Sequence, residues 1–245
     1  ALAITFDDGY RDNAEVALPI LARHGVRASF FVASGFLGGG RMWNDTVIEA
    51  LRATGQDHVA LDALGLGRLP TTDATGRRAA IDLVLGRVKH LPPAERDRAV
   101  AQVVEAAGRP RLPDDLMMDP DQVRTLAGAG MEIGGHTVWH PILRSLDDDR
   151  AEAEIRGGRE ALEGMIQAPV RVFAYPNGRP GADYDQRHVE IVRRLGFTAA
   201  VSTAPGTADA SGDWHQMPRF TPWDRSLPAW TGRLVASRWR GASHP

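Results

Sequence analysis

The chain has 245 residues, a formal net charge of −2 and 24% charged residues, a length that allows one large α/β domain or two small ones. This near-neutral balance offers no electrostatic footprint for nucleic acid or an anionic membrane, and no apolar run approaches the roughly 18 residues a membrane span needs. With no cysteine, disulfides and cysteine nucleophiles are excluded, and any metal must be held by His, Asp or Glu. The chain opens inside an apparent strand, so a signal peptide is expected only upstream of it, and the compartment stays open.

Residues 2–6 read as a short buried strand. Residues 12–24 read as a helix with Val16, Ile20 and Leu21 on one face, ended by His24-Gly25. "VRASFFVAS" (26–34) is a second apolar strand. Strand, helix, strand in about thirty residues is a βαβ unit, so a parallel sheet is expected. From about 46 to 107 the chain is mostly helical, with a short ribbon around 58–71. This stretch reads as an insertion, spanning about 40–118 between early strands of a single 1–245 domain. Its amphipathic helices are expected to pack back onto the core fold. Residues 119–130 form a capped helix with Pro120 in its first turn. Then come a strand ("MEIGGHT"), a helix over 146–166 with Asp147 as N-cap, a strand ("VRVFAYP"), a helix ("DQRHVEIVRRLG") and a strand ("FTAAVS"). The tail from 205, rich in Gly, Pro and Trp, reads as loops with short elements. Alternating strands and helices point to a barrel-like α/β fold.

Three stretches carry chemistry. The first, "TFDDGY" (5–10), ends a strand with two adjacent carboxylates, Asp7 and Asp8. Like charges in one site repel, and a cation would offset that repulsion. The second, "HTVWH", separates His136 and His140 by three residues. If the segment turns helically, both imidazoles lie on one face, the spacing zinc sites use. Both stretches follow predicted strands, and active sites of such barrels gather at the strands' C-terminal ends. Two histidines and one carboxylate make a three-ligand zinc site open to water. A bound cation lowers the pKa of its water toward ~7, and the spare aspartate can take the proton. The spacing alone leaves open which aspartate does which. The third, "FAYPNGRPG" (173–181), is a turn whose backbone N–H groups could stabilise an oxyanion together with the metal.

In this order the three motifs resemble those of the polysaccharide deacetylases of carbohydrate esterase family 4: "TFDDG" (5–9), "HTVWH" (136–140) and "YPNG" (175–178), with "GFTAAVST" and "MPRF" resembling the family's later strands. The resemblance runs from residue 1 to about 221, apart from the helical insertion. It implies a distorted (β/α) barrel with seven parallel strands, Asp7 as base, Asp8, His136 and His140 as metal ligands, and the Asn177 N–H as oxyanion donor. The reaction implied is metal-assisted hydrolysis of an N-acetyl group on a glycan of the N-acetylglucosamine type, releasing acetate, in the periplasm or outside the cell. Zinc is the default for such ligands, with cobalt, nickel and manganese as alternatives. Two departures stand out. Ala174 occupies the place of an Arg that helps tune the base in many members, and Arg219 in "MPRF" could supply that guanidinium from another strand. The late Leu-x-His motif has no match, since the only late histidines, His215 and His244, lack its context.

Tyr175, Pro176 and Trp214 are candidate substrate contacts, with Trp43 and Trp223 as other loop aromatics, each weighed against a buried anchoring role. Trp139 reads as a packing residue. His24 ends a helix, and His58, His90 and His188 read as structural or solvated. "DDDR" (147–150) suits the first turn of a helix. Two rivals are carried. One is an O-acetyl ester or small cyclic amide hydrolase on the same metal site, which the missing Leu-x-His makes more credible. The other is a non-catalytic glycan-binding module with a vestigial site.

Overall fold

The computed structural model describes residues 2–208, 211–221, 224 and 226–239. Trp223 and His244 lie outside the described residues. The chain divides into two compact units, Ala1–Gly38 with Met118–Pro245, and Gly39–Met117. In chain order the elements are β1 (Ile4–Phe6), a π-helical turn (Asn13–Ala17) running into α1 (Leu18–Arg23), β2 (Ala28–Val32), α2 (Trp43–Ala53), β3 (His58–Ala60), β4 (Arg68–Pro70), α3 (Ala74–Val88) and α4 (Pro93–Ala106). They continue with α5 (Pro120–Gly128), β5 (Glu132–Gly135), α6 (Asp148–Ile166), β6 (Val172–Ala174), α7 (Gln186–Arg194), β7 (Ala199–Val201) and α8 (Leu227–Trp239).

The first unit is a distorted (β/α) barrel built on a parallel sheet in the order β1-β2-β5-β6-β7. Phe6 sits opposite Phe30, Val32 opposite Gly135, and Ala174 opposite Val201. This parallel sheet has five strands among the described residues, against the seven expected. Past β7, Met217 forms a parallel bridge with Val201 outside any named strand. Strand side chains alternate between faces. Phe30, Val32, Ile133, Phe173 and Ala200 point to the helices and join Leu126, Ile155, Leu162 and Val189 in the main core. Phe31, Ala174 and Val201 form a second small cluster with Val172 and Met217. Gly134 makes room there, because a Cβ on it would lie 2.4 Å from the Phe31 ring.

Helix starts follow their caps. Asp119 accepts from Gln122 N at 2.8 Å, and Gln122 returns a bond to the Asp119 N–H, with Pro120 in the first turn of α5. Asp147 accepts from Arg150 N at 2.9 Å and starts α6. Each such cap contributes about 0.5–2 kcal/mol. The first helix departs from its pattern. Leu21 is buried, but Val16 and Ile20 are 56% and 49% exposed. The π-helical turn inserts an extra residue per hydrogen-bonded loop, which rotates Val16 off the face a regular helix would give it. In the tail, the 13-residue α8 forms where loops with short elements are expected. Pro228 sits at its start, where a missing N–H costs nothing.

The second unit comprises α2, the antiparallel β3–β4 ribbon, α3 and α4. It has its own core, in which Val47, Leu51, Val59, Val84, Val88 and Val103 are wholly buried. Trp43 packs against this core beneath the Arg96 guanidinium, 5.2 Å from the ring centroid, so it anchors the fold. Among the described residues no helix is long and apolar enough to cross a membrane.

Candidate metal centre

The three motifs fall just past the C-terminal ends of β1, β5 and β6. In a parallel sheet those ends share one edge, so residues far apart in sequence are delivered together. The backbone is unusual at each motif. Among the described residues six non-glycine residues have positive φ, and four of them are Asp8 (76°), Thr137 (67°), His140 (51°) and Asn177 (59°). Such conformations cost about 1–3 kcal/mol each and persist where surrounding structure enforces them, commonly at functional sites.

The enforcing contacts are specific. After β1, the Asp8 carbonyl accepts from Ala33 N at 3.2 Å, and Gly9, at φ 93°, approaches Val32 so closely that a Cβ would clash at 2.9 Å. After β5, the segment 136–140 is a bend, so the helical condition for a shared imidazole face is not met. The Thr137 hydroxyl takes the His140 N–H at 3.0 Å, offering the backbone an alternative to helical bonding. Glu154 of α6 accepts from Val138 N (3.0 Å) and Trp139 N (2.8 Å), while Ser34 N and Gly35 N donate to the Thr137 and Val138 carbonyls. Gly158 of α6 lets the loop press in, since a Cβ there would meet the Thr137 backbone at 2.7 Å.

The two imidazoles converge even so, with ring centroids 4.7 Å apart. His136 and His140 each place Nε2 3.4 Å from the same Asp8 oxygen, Oδ1. The ligand atoms of Asp8, His136 and His140 all lie within 4.8 Å of one another. Zinc bonds of about 2.0–2.2 Å in tetrahedral geometry put neighbouring donor atoms roughly 3.4 Å apart, so this donor set fits a zinc-like ion. The wholly buried His136 points Nδ1 at the Ala174 carbonyl, 2.7 Å away. A proton on Nδ1 donated there leaves Nε2 as the lone-pair donor, the usual outer-partner arrangement of a metal-bound histidine.

Electrostatics agree with that fit. Burial works against the Asp8 charge, but the hydrogen bond to His136 and the nearby charges of His140, His136 and Arg219 outweigh it and hold the carboxyl below its ordinary range. Burial likewise pushes the His136 imidazole toward neutrality, while the Asp8 hydrogen bond and the charges of Asp7 and Asp8 overcome it and raise its pKa. The cluster attracts positive charge, as a cation site must.

Asp7 stands beside this cluster and does something different. Arg219 grips it with two hydrogen bonds, Nη1 to Oδ1 at 2.8 Å and Nη2 to Oδ2 at 2.7 Å. Arg219 is itself fixed by donating from Nε to the Ser202 carbonyl at 3.0 Å and from Nη1 to the Thr5 hydroxyl at 3.1 Å. A bidentate fork of this kind fixes a carboxylate's orientation as well as its charge. It also ties the segment after β7 to the end of β1.

After β6, Gly178 N donates to the Pro176 carbonyl at 2.7 Å, and Thr203 clamps the turn, its hydroxyl donating to the Asn177 carbonyl at 2.7 Å and its N–H to the Gly178 carbonyl at 2.8 Å. Two expected substrate contacts are not surfaces at all. Tyr175 is wholly buried, stacked on Tyr184 with centroids 3.8 Å apart, and its hydroxyl donates to the His215 carbonyl. Pro176 is buried as well. Trp214 is exposed but not with the group. Its carbonyl accepts from Ala200 N in β7, and flanking Asp213 pairs with Arg193 at the end of α7. The parallel run from Trp214 to Arg219 therefore starts near the beginning of β7 and reaches the site only at Arg219. His215 belongs with Trp214, its Nε2 on the Phe197 carbonyl at 2.9 Å. His188 is structural too, completing the capping box of α7.

Glu154 was not singled out by sequence reasoning, although it left a trace. The buried stripe of α6 is Ala151, Ile155, Gly158 and Leu162, and an acid three residues after Ala151 sits on that same side. Glu154→Ala strands two backbone N–H groups of the histidine loop. The expected result is a loss of about 1–3 kcal/mol of stability and zinc binding about 10–100-fold weaker, read by thermal unfolding and by competition with a chromogenic chelator.

With the geometry in place, the comparisons give the family. The polysaccharide deacetylase family model matches residues 1–62 and 90–200, and the chain belongs to that family. The Bacillus subtilis (strain 168) protein YxkH is 20% identical over 205 residues, 84% of this chain and 45% of that protein. The chain thus spans less than half the length of this curated relative. Among solved structures, the Streptococcus pyogenes deacetylase PplD in complex with acetate aligns with a TM-score of 0.58 at 19% identity, covering 96% of this chain and 69% of that one. IcaB from Ammonifex degensii aligns with a TM-score of 0.55 at 17% identity, covering 96% and 71%. Both are similar in fold.

Proposed function

We propose that the chain is a metal-dependent hydrolase that removes N-acetyl groups from a glycan of the N-acetylglucosamine type, releasing acetate. The observation that carries this reading is the convergence of two imidazole nitrogens on one Asp8 oxygen, with a second, separately held carboxylate next in sequence. Membership of the polysaccharide deacetylase family supports the substrate class. In this reading residues 1–245 form one catalytic domain, with the helical unit as an insertion.

Asp8, His136 and His140 would hold a divalent cation, zinc by the nature of the donors. Bound there, the ion supplies Lewis acidity toward the acetyl carbonyl and a lowered pKa for water at neutral pH. Asp7, oriented by Arg219, takes the proton of the attacking water. By the family resemblance, the Asn177 N–H would donate to the developing oxyanion. The leaving amine needs a proton, and no late histidine among the described residues supplies it, because His215 is engaged by Phe197. Asp7 can return the proton it has taken.

That same observation about His215 favours a second reading, O-acetyl ester cleavage, since an alcohol leaves with less help than an amine. Acetate release separates the two. The expected result is release from N-acetylglucosamine oligomers that dialysis against a chelator abolishes and added zinc restores. Release from O-acetylated xylan alone would select the ester reading, and release indifferent to chelator would overturn both.

A further inference from the structure

We propose that Trp139 is a stacking surface for a pyranose ring of the substrate, the sugar that neighbours the acetylated one. This deepens the proposed function and rests on it. Trp139 lies between Thr137-Val138 and the ligand His140, yet it is 56% exposed. A tryptophan contributes most to a fold by burying 150–250 Å², and Trp43 does that here against its own core. Trp139 forgoes much of that burial while being held firmly.

Three contacts hold it. Its backbone N–H and that of Val138 are both fixed on Glu154. Its indole lies against Gly35, where a Cβ would come within 2.7 Å of Cε3 and 2.8 Å of Cδ2. Its ring meets Phe36 edge to face at 5.5 Å between centroids. Gly35 follows β2 at the same edge of the sheet that carries the motifs, and Gly35 N donates to Val138 O at 2.9 Å. The result is a rigid, half-open aromatic face one residue from a metal ligand, about 3.8 Å away between Cα atoms.

A pyranose ring matches such a face. Its axial C–H groups make an apolar, slightly positive surface that suits the negative face of an indole, while its hydroxyl edges stay in water. A wall already fixed in place loses little conformational freedom on binding. The buried Tyr175 and the distant Trp214 offer no comparable face at the site.

The test uses the zinc-loaded full chain and the β-1,4-linked N-acetylglucosamine tetramer. Trp139→Ala is expected to raise KM for the tetramer about three- to tenfold, the size of one aromatic stacking contact. Trp139→Phe should fall in between, and zinc affinity by chelator competition should stay unchanged in both. An unchanged KM overturns the proposal. So does a KM rise accompanied by an equal loss of zinc affinity, which would make Trp139 a prop for the loop. Calorimetric binding of the tetramer to Asp7→Asn, with and without Trp139→Ala, separates this inference from the reaction. Weaker binding without the indole in the Asp7→Asn background, together with no acetate release from the unsubstituted zinc-loaded chain, keeps the stacking surface and removes the deacetylase reading. Equal binding, or none by either protein, overturns the stacking surface alone.

Discussion

Asp7→Asn is expected to lower kcat for acetate release by about 10²–10⁴-fold, the range spanned by general base catalysis, with zinc content unchanged. The reason lies in how Asp7 is held. Both of its oxygens are engaged by Arg219, and its partner is anchored in turn on Ser202, so the carboxylate is oriented by the protein and not by an ion. An asparagine keeps the size and one acceptor for Arg219 but cannot accept a proton from water. The partly buried guanidinium then loses its counter-charge, so thermal unfolding should be recorded alongside to show that the variant is folded. Zinc content after dialysis and steady-state rates on the tetramer check the two halves of the expectation.

Asp8→Asn should behave in the opposite way in the first measurement. Here zinc itself is lost, by more than the 10–100-fold that removing an outer partner costs, and activity goes with it. Asp8 supplies the single negative charge among the three donors, and its Oδ1 is the atom both imidazoles face at 3.4 Å. A neutral amide oxygen offers that position no charge. Excess zinc should restore part of the activity of Asp8→Asn and none of that of Asp7→Asn. Equal zinc loss in both variants would mean that the roles of the two aspartates are wrongly divided.

Which of these features the sequence could announce follows from how each is encoded. The βαβ pattern is local, and parallel strands place their C-terminal ends on one edge, so Asp7, Asp8, His136 and His140 could be brought together on paper without knowing any contact. The conformation of 136–140 could not. The i, i+4 spacing puts both imidazoles on one face only if the segment turns helically, whereas the Thr137 hydroxyl and the Glu154 carboxylate capture the N–H groups a helix would need. The outcome for the imidazoles is the same by another route. Val16 and Ile20 were misplaced because one π-helical turn shifts a periodicity that composition cannot reveal.

Long-range partners were the least legible. Arg219 reaches Asp7 across 212 residues, and His136 finds the Ala174 carbonyl across 38. Neither has a local signature, although the Arg of "MPRF" stood out against the Ala174 that replaces an arginine in the resemblance. Aromatic residues divided by burial, which depends on packing and not on neighbours in sequence. Tyr175, expected to meet substrate, is core, while Trp139, expected to pack, is open. Loop composition concealed α8 because its Pro228 reads as a breaker everywhere except in a helix's first turn.

The central claim is that one divalent cation is held by Asp8, His136 and His140. Diffraction from zinc-soaked crystals, measured on both sides of the zinc absorption edge, tests it directly. The account predicts one strong anomalous peak about 2.0–2.2 Å from a carboxylate oxygen of Asp8 and from Nε2 of both histidines. A folded protein with no peak there, or with its only peak held by other residues, would contradict it.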